Sequence, residues 1–360
     1  MAVSIFLARL FAQRRNEDQQ INILRRKLRD NSNIFEMPEQ MFLSNYRMDK
    51  HCFMDLLEDV APHMKVPERS TAIPPTLKLG AFLRFLAAGS CQAAVGNEYM
   101  ASMTQAKVSQ ILSECLDIFE RHICRKWIQF EMPEEEEDAM KEKFYNKYGI
   151  PGVIGCVDGT HIRIIAPDDL RHLYYNRKGF YSINALMICD FDMVIRYVDA
   201  TVPGANHDAF AWRTSAADGI LKAAHDRGKR NTWLLGDSGY QNLPYLMTPY
   251  RTPQSHEAVV FNSKLCKARN VVERCFGTLK NRFRCIIGER GLHYSPLKAT
   301  KIVNACCALH NMCIFKKNNW AVAEVPVEEI EVHEMFVDDE GAPSTLAAYV
   351  RDQLALAVSH

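Results

Sequence analysis

The chain predicts a mixed α/β sheet flanked by helices and preceded by an all-helical region. Three observations carry that prediction. Apolar, β-branched runs at 152–165, 181–190 and 193–202 follow one another as consecutive strands do. Ahead of residue 148 the apolar residues keep helical spacing instead. Near the other end, 269–284 (RNVVERCFGTLKNRFR) sets Val272, Cys275, Phe276, Leu279 and Phe283 on one helical stripe that packs on a core. A second stripe of that helix carries Glu273, Gly277, Lys280 and Arg284. A carboxylate there can hold a metal, the glycine leaves room for a large polyanion, and the cations can neutralise phosphates. The bland alternative is that Glu273 only pairs with neighbouring cations on an exposed face.

At 360 residues, 48% hydrophobic and 24% charged, the chain has room for one large globular domain and a smaller one. Its net charge of +1 averages over blocks of opposite sign. Residues 262–301 hold ten Lys and Arg against two Glu, whereas 318–343 hold eight acids and no Lys or Arg. The basic block suits a polyanion, and the acidic one is expected to be a solvated, disordered linker or a mask for it. Twelve cysteines are scattered, several inside apolar runs, so they read as reduced thiols of an intracellular protein rather than as a disulfide framework. The N-terminal VSIFLARLFAQRR is too short, and too interrupted by Arg9, to be a spanning helix, and it lacks the cleavage site expected of a signal peptide.

Residues 1–35 read as an amphipathic helix or arm. Phe42, Tyr46, Phe53, Leu56, Leu57 and Val60 then give helical spacing up to Pro67, and another helix fits 77–88, closed by Gly89. A short helix near 92–99, a turn and a longer helix from Thr104 make a helix-turn-helix pattern within about 77–125. In that reading Thr104, Gln105, Lys107 and Ser109 approach DNA, while Val108, Ile111 and Leu112 anchor the core. A purely structural trihelical unit is the alternative. The acidic run EMPEEEED (131–138) is the start of a further helix, with Pro133 and glutamates in the first turn.

In the central part, Asp158 interrupts the first strand, and a carboxylate in a buried strand calls for compensation such as a divalent metal. The next two runs make an antiparallel meander with it. Helical stretches follow from about 206 and 219, then a short strand (232–236) delivering Asp237, a fifth strand at 257–261 (EAVVF), and the helix bearing Glu273. This layout fits the ribonuclease H type, with Asp158 within the first strand, Asp237 at the end of the fourth and Glu273 on the later helix. Thirty-five residues stand between Asp237 and Glu273. Such a triad can bind two divalent ions about 3.5 to 4 Å apart, for in-line displacement at phosphate.

The segments GVIGCVDGTHIRI (152–164), YYNRKGFYSINALMICD (174–190), PGANHDA (203–209), WLLGDSGY (233–240), VVERCFGTLKNRFRC (271–285) and ACCALHNMC (305–313) resemble those of the Harbinger transposase-derived nucleases and PIF/Harbinger transposases. The resemblance covers nearly the whole chain, and residues 89–112 are similar to the helical region ahead of the nuclease in that family. It implies a DDE nuclease of ribonuclease H-like fold, with Asp158, Asp237 and Glu273 as catalytic acids and Mg²⁺ or Mn²⁺ as cofactor. It also implies a separate Myb/SANT-like DNA-binding partner that brings the protein into the nucleus and leaves a cytoplasmic pool when absent. Arg177 and Lys178, beside Asn176, become DNA contacts by the same resemblance, with a solvated turn as the alternative.

The domain layout expected is 1–148 helical, 149–316 nuclease, 317–343 acidic linker and 344–360 a C-terminal helix, capped by Ser344, whose Leu346, Tyr349, Val350, Leu354 and Val358 dock on the body or a partner. Asp208, at a helix start, reads as an N-cap or as a fourth acid at the metals. His161 reads as a hydrogen-bonded structural residue or as one facing the site. Cys306, Cys307, His310 and Cys313 lack the paired spacing of a zinc finger, and their helix is expected to pack on the sheet. The function expected is a metal-dependent nuclease or transposase on DNA, with Lys280, Arg284 and Arg274 holding the backbone, as a monomer or homo-oligomer. The rival is a DNA-binding or scaffold protein that keeps the fold without cutting. A hydrolase of small phosphorylated substrates fits poorly with the cationic row beside Glu273.

Overall fold

The computed structural model describes residues 2–66, 72–89, 91–98, 101–287, 291–317 and 345–359, with side chains from residue 13 on. The acidic stretch 318–343 and Ser344 lie outside the described residues. Contacts divide the chain into two compact units, one of Met1–Phe119 and one of Glu120–Lys317 with the C-terminal helix.

The first unit is helical: α1 (Ala2–Asp30), α2 (Glu39–Tyr46), α3 (Lys50–Val60), α4 (Pro75–Ala88), α5 (Gln92–Asn97) and α6 (Gln105–Ile118). Its helices begin and end where side chains satisfy free backbone groups. Asp49 accepts from Cys52 N at α3, Thr104 accepts from Lys107 N at α6, and Gly89 takes the left-handed conformation that ends α4. Phe42, Tyr46 and Phe53 form one aromatic cluster in its core. Lys78 bonds Glu114, joining α4 to α6. In the turn from α5 to α6, Met103 N donates to Gly96 O, and a Cβ on Gly96 would lie 2.6 Å from Met103 O. Only glycine permits that approach.

The second unit runs α7 (Cys124–Trp127), α8 (Glu134–Tyr148), β1 (Val153–Arg163), β2 (Ser182–Cys189), β3 (Ile195–Pro203), α9 (Asp208–Thr214), α10 (Ala216–Asp226), β4 (Trp233–Leu235), β5 (Leu246–Met247), α11 (His256–Arg282), α12 (Pro296–Phe315) and α13 (Thr345–Ser359). Among the described residues the sheet order is β3-β2-β1-β4-β5. β1, β2 and β3 are antiparallel neighbours, β4 runs parallel to β1 and β5 parallel to β4. That is the ribonuclease H-like arrangement, with the long β1 at its centre. Helices cover both faces. Val157, Leu186 and Ile188 share a core with Trp212 and Leu221 of α9 and α10, whereas α8, α11 and α12 pack on the opposite side, where Cys156 Sγ meets Ala268 O of α11 and Cys307 Sγ meets Met187 Sδ.

Two expectations change. Glu257–Phe261 is not a strand but the first turn of α11. Ser255 accepts from Ala258 N, and Ala258, Phe261, Leu265 and Ala268 are buried at helical spacing, so a five-residue apolar run was too short to separate the two periods. The fifth strand is Leu246–Met247. In α13 the buried residues are Ala347, Leu354, Ala355 and Val358, while Leu346 and Tyr349 are exposed. The helix docks on α11 through this shifted stripe, with Lys264 Nζ donating to Val358 O, Tyr250 Oη donating to Asp352, and Arg351 over the Tyr250 ring.

The outer edge of β3 is covered rather than left open. Buried Asn311 of α12 accepts from Ile195 N (2.8 Å) and donates to Ile195 O (2.7 Å) and to Trp127 O (2.8 Å). Asn311→Leu leaves these three backbone groups unpaired in the core. Urea unfolding is expected to show a loss of roughly 2–4 kcal/mol; a change under about 0.5 kcal/mol contradicts this account.

Candidate active site: carboxylates around a buried arginine

β1 alternates between two surroundings, as a strand's period of two requires. On one side Cys156 bonds Ala268 O, Asp158 Oδ2 accepts from Arg269 Nη2 at 3.2 Å, and Thr160 Oγ1 accepts from Lys280 Nζ at 2.7 Å. All three partners belong to α11. On the other side Val157 packs in the core with Trp212 of α9, and a Cβ on Gly159 would lie 2.2 Å from Asp208 Oδ1. Asp158 thus faces α11, and the glycine beside it admits Asp208 from α9.

The remaining acids arrive from neighbouring elements. β4, parallel to β1, ends two residues before Asp237, whose Oδ1 accepts from Gly239 N at 2.9 Å. Glu273 stands one helical turn after Arg269, on the same face of α11. It is half-buried, and its Oε2 is buried with no hydrogen-bond partner among the described residues. The reading of Glu273 as a solvated, surface-paired acid therefore fails. Asp208 is not the N-cap of α9. His207 holds that position, and Asp208 Oδ1 instead accepts from Asn184 Nδ2 of β2 at 2.7 Å.

Burial, and after it the mutual repulsion of the acids, raises the pKa values in the cluster. Burial pushes Asp158 up to about 7, with Arg269 opposing and Asp237 and Asp208 adding to the rise. Burial also raises Asp237 and Glu273, again against the pull of Arg269, and Asp208 and Asp237 respectively reinforce these shifts. Burial works against the Arg269 charge, but Asp158, Asp237 and Glu273 are among the anions that outweigh it and hold its pKa above the ordinary value. Four carboxylates and one guanidinium make a single electrostatic unit. Among the described residues no three His, Cys, Asp or Glu stand together as a ready metal shell.

Beside Asp208 lies a cleft of about 480 Å³ lined by His161, Asn176, Arg177, Asn206 and His207 among others. His161 therefore faces the site side. Its Nδ1 meets Ser182 Oγ at 3.0 Å, and burial lowers its pKa while Asp208 opposes the shift. Asn176 is buried and builds the turn beyond it, with Oδ1 accepting from Lys178 N and Phe180 N and Nδ2 donating to Ser182 Oγ. The exposed Arg177 and Lys178 form the tip. Lys280 is not a free surface cation. Its bond to Thr160 ties it down, and burial first, then Lys178, lowers its pKa.

Within this unit, Arg274 and Arg284 are not part of the cluster. Arg274 is exposed beside Tyr148 of α8, and Arg284 is exposed beyond the end of α11, which stops at Arg282. Gln105 and Lys107 are exposed on α6 in the first unit, where the Thr104 hydroxyl is engaged in capping. Cys306, Cys307 and His310 are buried and turn to separate partners, Cys285, Met187 Sδ and Met193 O. Their helix packs on β3 as expected. Arg269 and Asn184 were not singled out from the sequence as site residues. Arg269's position four before Glu273 was the available signal, as was a lone asparagine within a buried apolar strand for Asn184.

A family model described as DDE superfamily endonuclease matches residues 157–311, a span that holds Asp158, Asp208, Asp237, Arg269 and Glu273. "Putative nuclease HARBI1" of Bos taurus is 33% identical over 288 residues, covering 79% of this chain and 80% of that protein. The protein of the same name from Xenopus laevis is 33% identical over 267 residues, covering 73% and 75%. "Protein ALP1-like" of Arabidopsis thaliana is 27% identical over 247 residues, covering 64% and 59%. With its sheet order, its acids on β1, after β4 and on α11, and these relatives, the chain belongs to the Harbinger-derived family of HARBI1, built on a DDE superfamily endonuclease domain.

Proposed function

We propose that the chain is a divalent-metal-dependent nuclease that cuts DNA phosphodiester bonds, with Asp158, Asp237 and Glu273 as catalytic acids and Asp208 beside them. The observation that carries this reading is the gathering of acids from three separate elements around Arg269. DDE superfamily endonucleases generally use divalent metals. The donor set suits Mg²⁺ or Mn²⁺, because it consists of hard carboxylate oxygens and includes the unpartnered Glu273 Oε2. The four acids would hold the ions. Bound there, the metal supplies charge neutralisation at the phosphate and a water of lowered pKa.

The chain's own residues do the rest in this reading. Gly239 N orients Asp237, Asn184 orients Asp208, and Thr160 holds the Lys280 ammonium alongside Asp158, where it meets phosphate oxygens. Arg177 and Lys178 on the Asn176 turn meet the DNA backbone next to the cleft. Water is the nucleophile in nicking, and a DNA 3′ hydroxyl in strand transfer. Gln105 and Lys107 are the DNA contacts of the first unit, with Arg274 and Arg284 as outlying phosphate contacts. A Myb/SANT-like partner supplies much of the target recognition and carries the chain into the nucleus. No described helix is long and apolar enough to cross a membrane.

Cleavage of supercoiled plasmid and short duplexes tests the core of this reading. With Mg²⁺ or Mn²⁺ the wild type is expected to cut and to stop on chelation. Asp158→Ala, Asp237→Ala and Glu273→Ala each lower the rate by more than about 100-fold, beyond what loss of an outer partner of a metal costs. Cutting that survives all three substitutions contradicts the site. Absence of cutting with DNA binding intact, even with a Myb-like protein and terminal repeats present, favours the scaffold alternative.

A second test bears on the place of Asp208 and its Asn184 partner. In Gly159→Ala the new Cβ would sit 2.2 Å from Asp208 Oδ1 and 2.9 Å from Asn184 Oδ1, so the acid must leave its place. Cleavage falls by about 10–100-fold, with a loss of about 1–3 kcal/mol in urea unfolding. Gly219→Ala is the control. That position is exposed on α10 with nothing within 4 Å of its Cβ, so stability rises by about 0.5–1 kcal/mol and cleavage is unchanged.

A further inference from the structure

Arg269 lies where the acids need a cation. Its Nη2 is 3.2 Å from Asp158 Oδ2, and its side chain is only 12% exposed against 17% for that of Asp158. It stands one turn before Glu273 on the same helix face, so a single side chain serves acids from both β1 and α11. The pairing is incomplete, however. Arg269 Nε and Glu273 Oε2 are both buried with no hydrogen-bond partner among the described residues. Arg–carboxylate pairs are frequently bidentate, and the two-pronged form is the stronger one; here the bond to Asp158 is made by one nitrogen, and Glu273 Oε2 accepts no hydrogen bond among the described residues.

We infer that Arg269 is the resident counter-cation of the carboxylate cluster in the metal-free protein, and that divalent metal and its guanidinium compete for the same acids. The inference rests on the reading of those acids as a metal site. Loading then requires the Arg269 side chain to swing off Asp158, which frees Asp158 Oδ2 and leaves the guanidinium at the rim, where a phosphodiester can take it up. Arg269 is thus a positioning residue for the metal-free state, and it couples metal entry to the presence of an anion.

Mn²⁺ binding without DNA, read as loss of the free-ion paramagnetic resonance signal, separates the cases. Arg269→Gln is expected to bind Mn²⁺ at least about tenfold more tightly than the wild type, because neutral Gln leaves the acids uncompensated. Its metal-free form melts below the wild type, and saturating Mn²⁺ closes the gap. Glu273→Gln weakens binding in both backgrounds. Equal or weaker binding by Arg269→Gln, with the wild type binding measurably, overturns the competition and leaves the metal site standing. Uptake by neither protein overturns the metal site and the competition with it. Should Arg269→Gln not fold, the wild type with ¹⁵N-labelled arginine answers, with the charge-conserving Arg269→Lys for assignment. Its Arg269 Nε resonance, assigned by its absence in Arg269→Lys, shifts on Mg²⁺ saturation, and an unmoved resonance overturns the inference.

Discussion

The pairing of Asp158 with Arg269 is the interaction on which the site depends. β1 is buried along most of its length, and a lone carboxylate there would cost several kcal/mol without a counter-charge. Gly159 N supplies one hydrogen bond, but Asp237 and Asp208 stand close enough to push the same proton back on. A cation opposes that rise in pKa. The protein provides one from α11, and thereby fixes the rotation of α11 about its axis. With Arg269 turned to β1, Glu273 one turn later faces the sheet as well, and Val272, Cys275 and Leu279 lie in the core beneath.

The period of the strand then distributes the chemistry between two layers. Residues 156, 158 and 160 meet α11, and residues 157 and 159 meet α9. Two acids on opposite layers can share one site only if the strand between them carries no side chain at the crossing. Gly159 is that opening. Its value lies in the absent Cβ rather than in any unusual backbone angle, which separates it from Gly89, whose left-handed conformation ends a helix.

Much of this was legible because long periodic segments leave little choice. The meander of β1 to β3, the strand before Asp237 and the helix bearing Glu273 follow from apolar periodicity and turn residues. Short or polar-flanked segments were harder. Residues 257–261 look like a strand in isolation and become helix only because Ser255 caps them and Leu265 and Ala268 continue the buried stripe. Leu246–Met247 is two residues long, below what any period can announce. Asp208 matches the chemistry of an N-cap, and only the position of Asn184 across the sheet draws it elsewhere. Arg269 was hidden by its abundance, one cation among ten in a basic block. Burial separates it from Arg274 and Arg284, and burial belongs to the tertiary structure.

Two cations of α11 bond side chains of β1. Arg269 and Lys280 are eleven positions apart, about 16 Å along a helix axis. Their partners Asp158 and Thr160 are two positions apart, about 7 Å along a strand. Both side chains nevertheless bond the same strand, and Glu273 and Gly277 lie between them in the sequence of the helix. Among the described residues no hydrogen bond engages Glu273 Oε2, and that oxygen is available as a ligand. The same arrangement that leaves the acid unsatisfied makes it available.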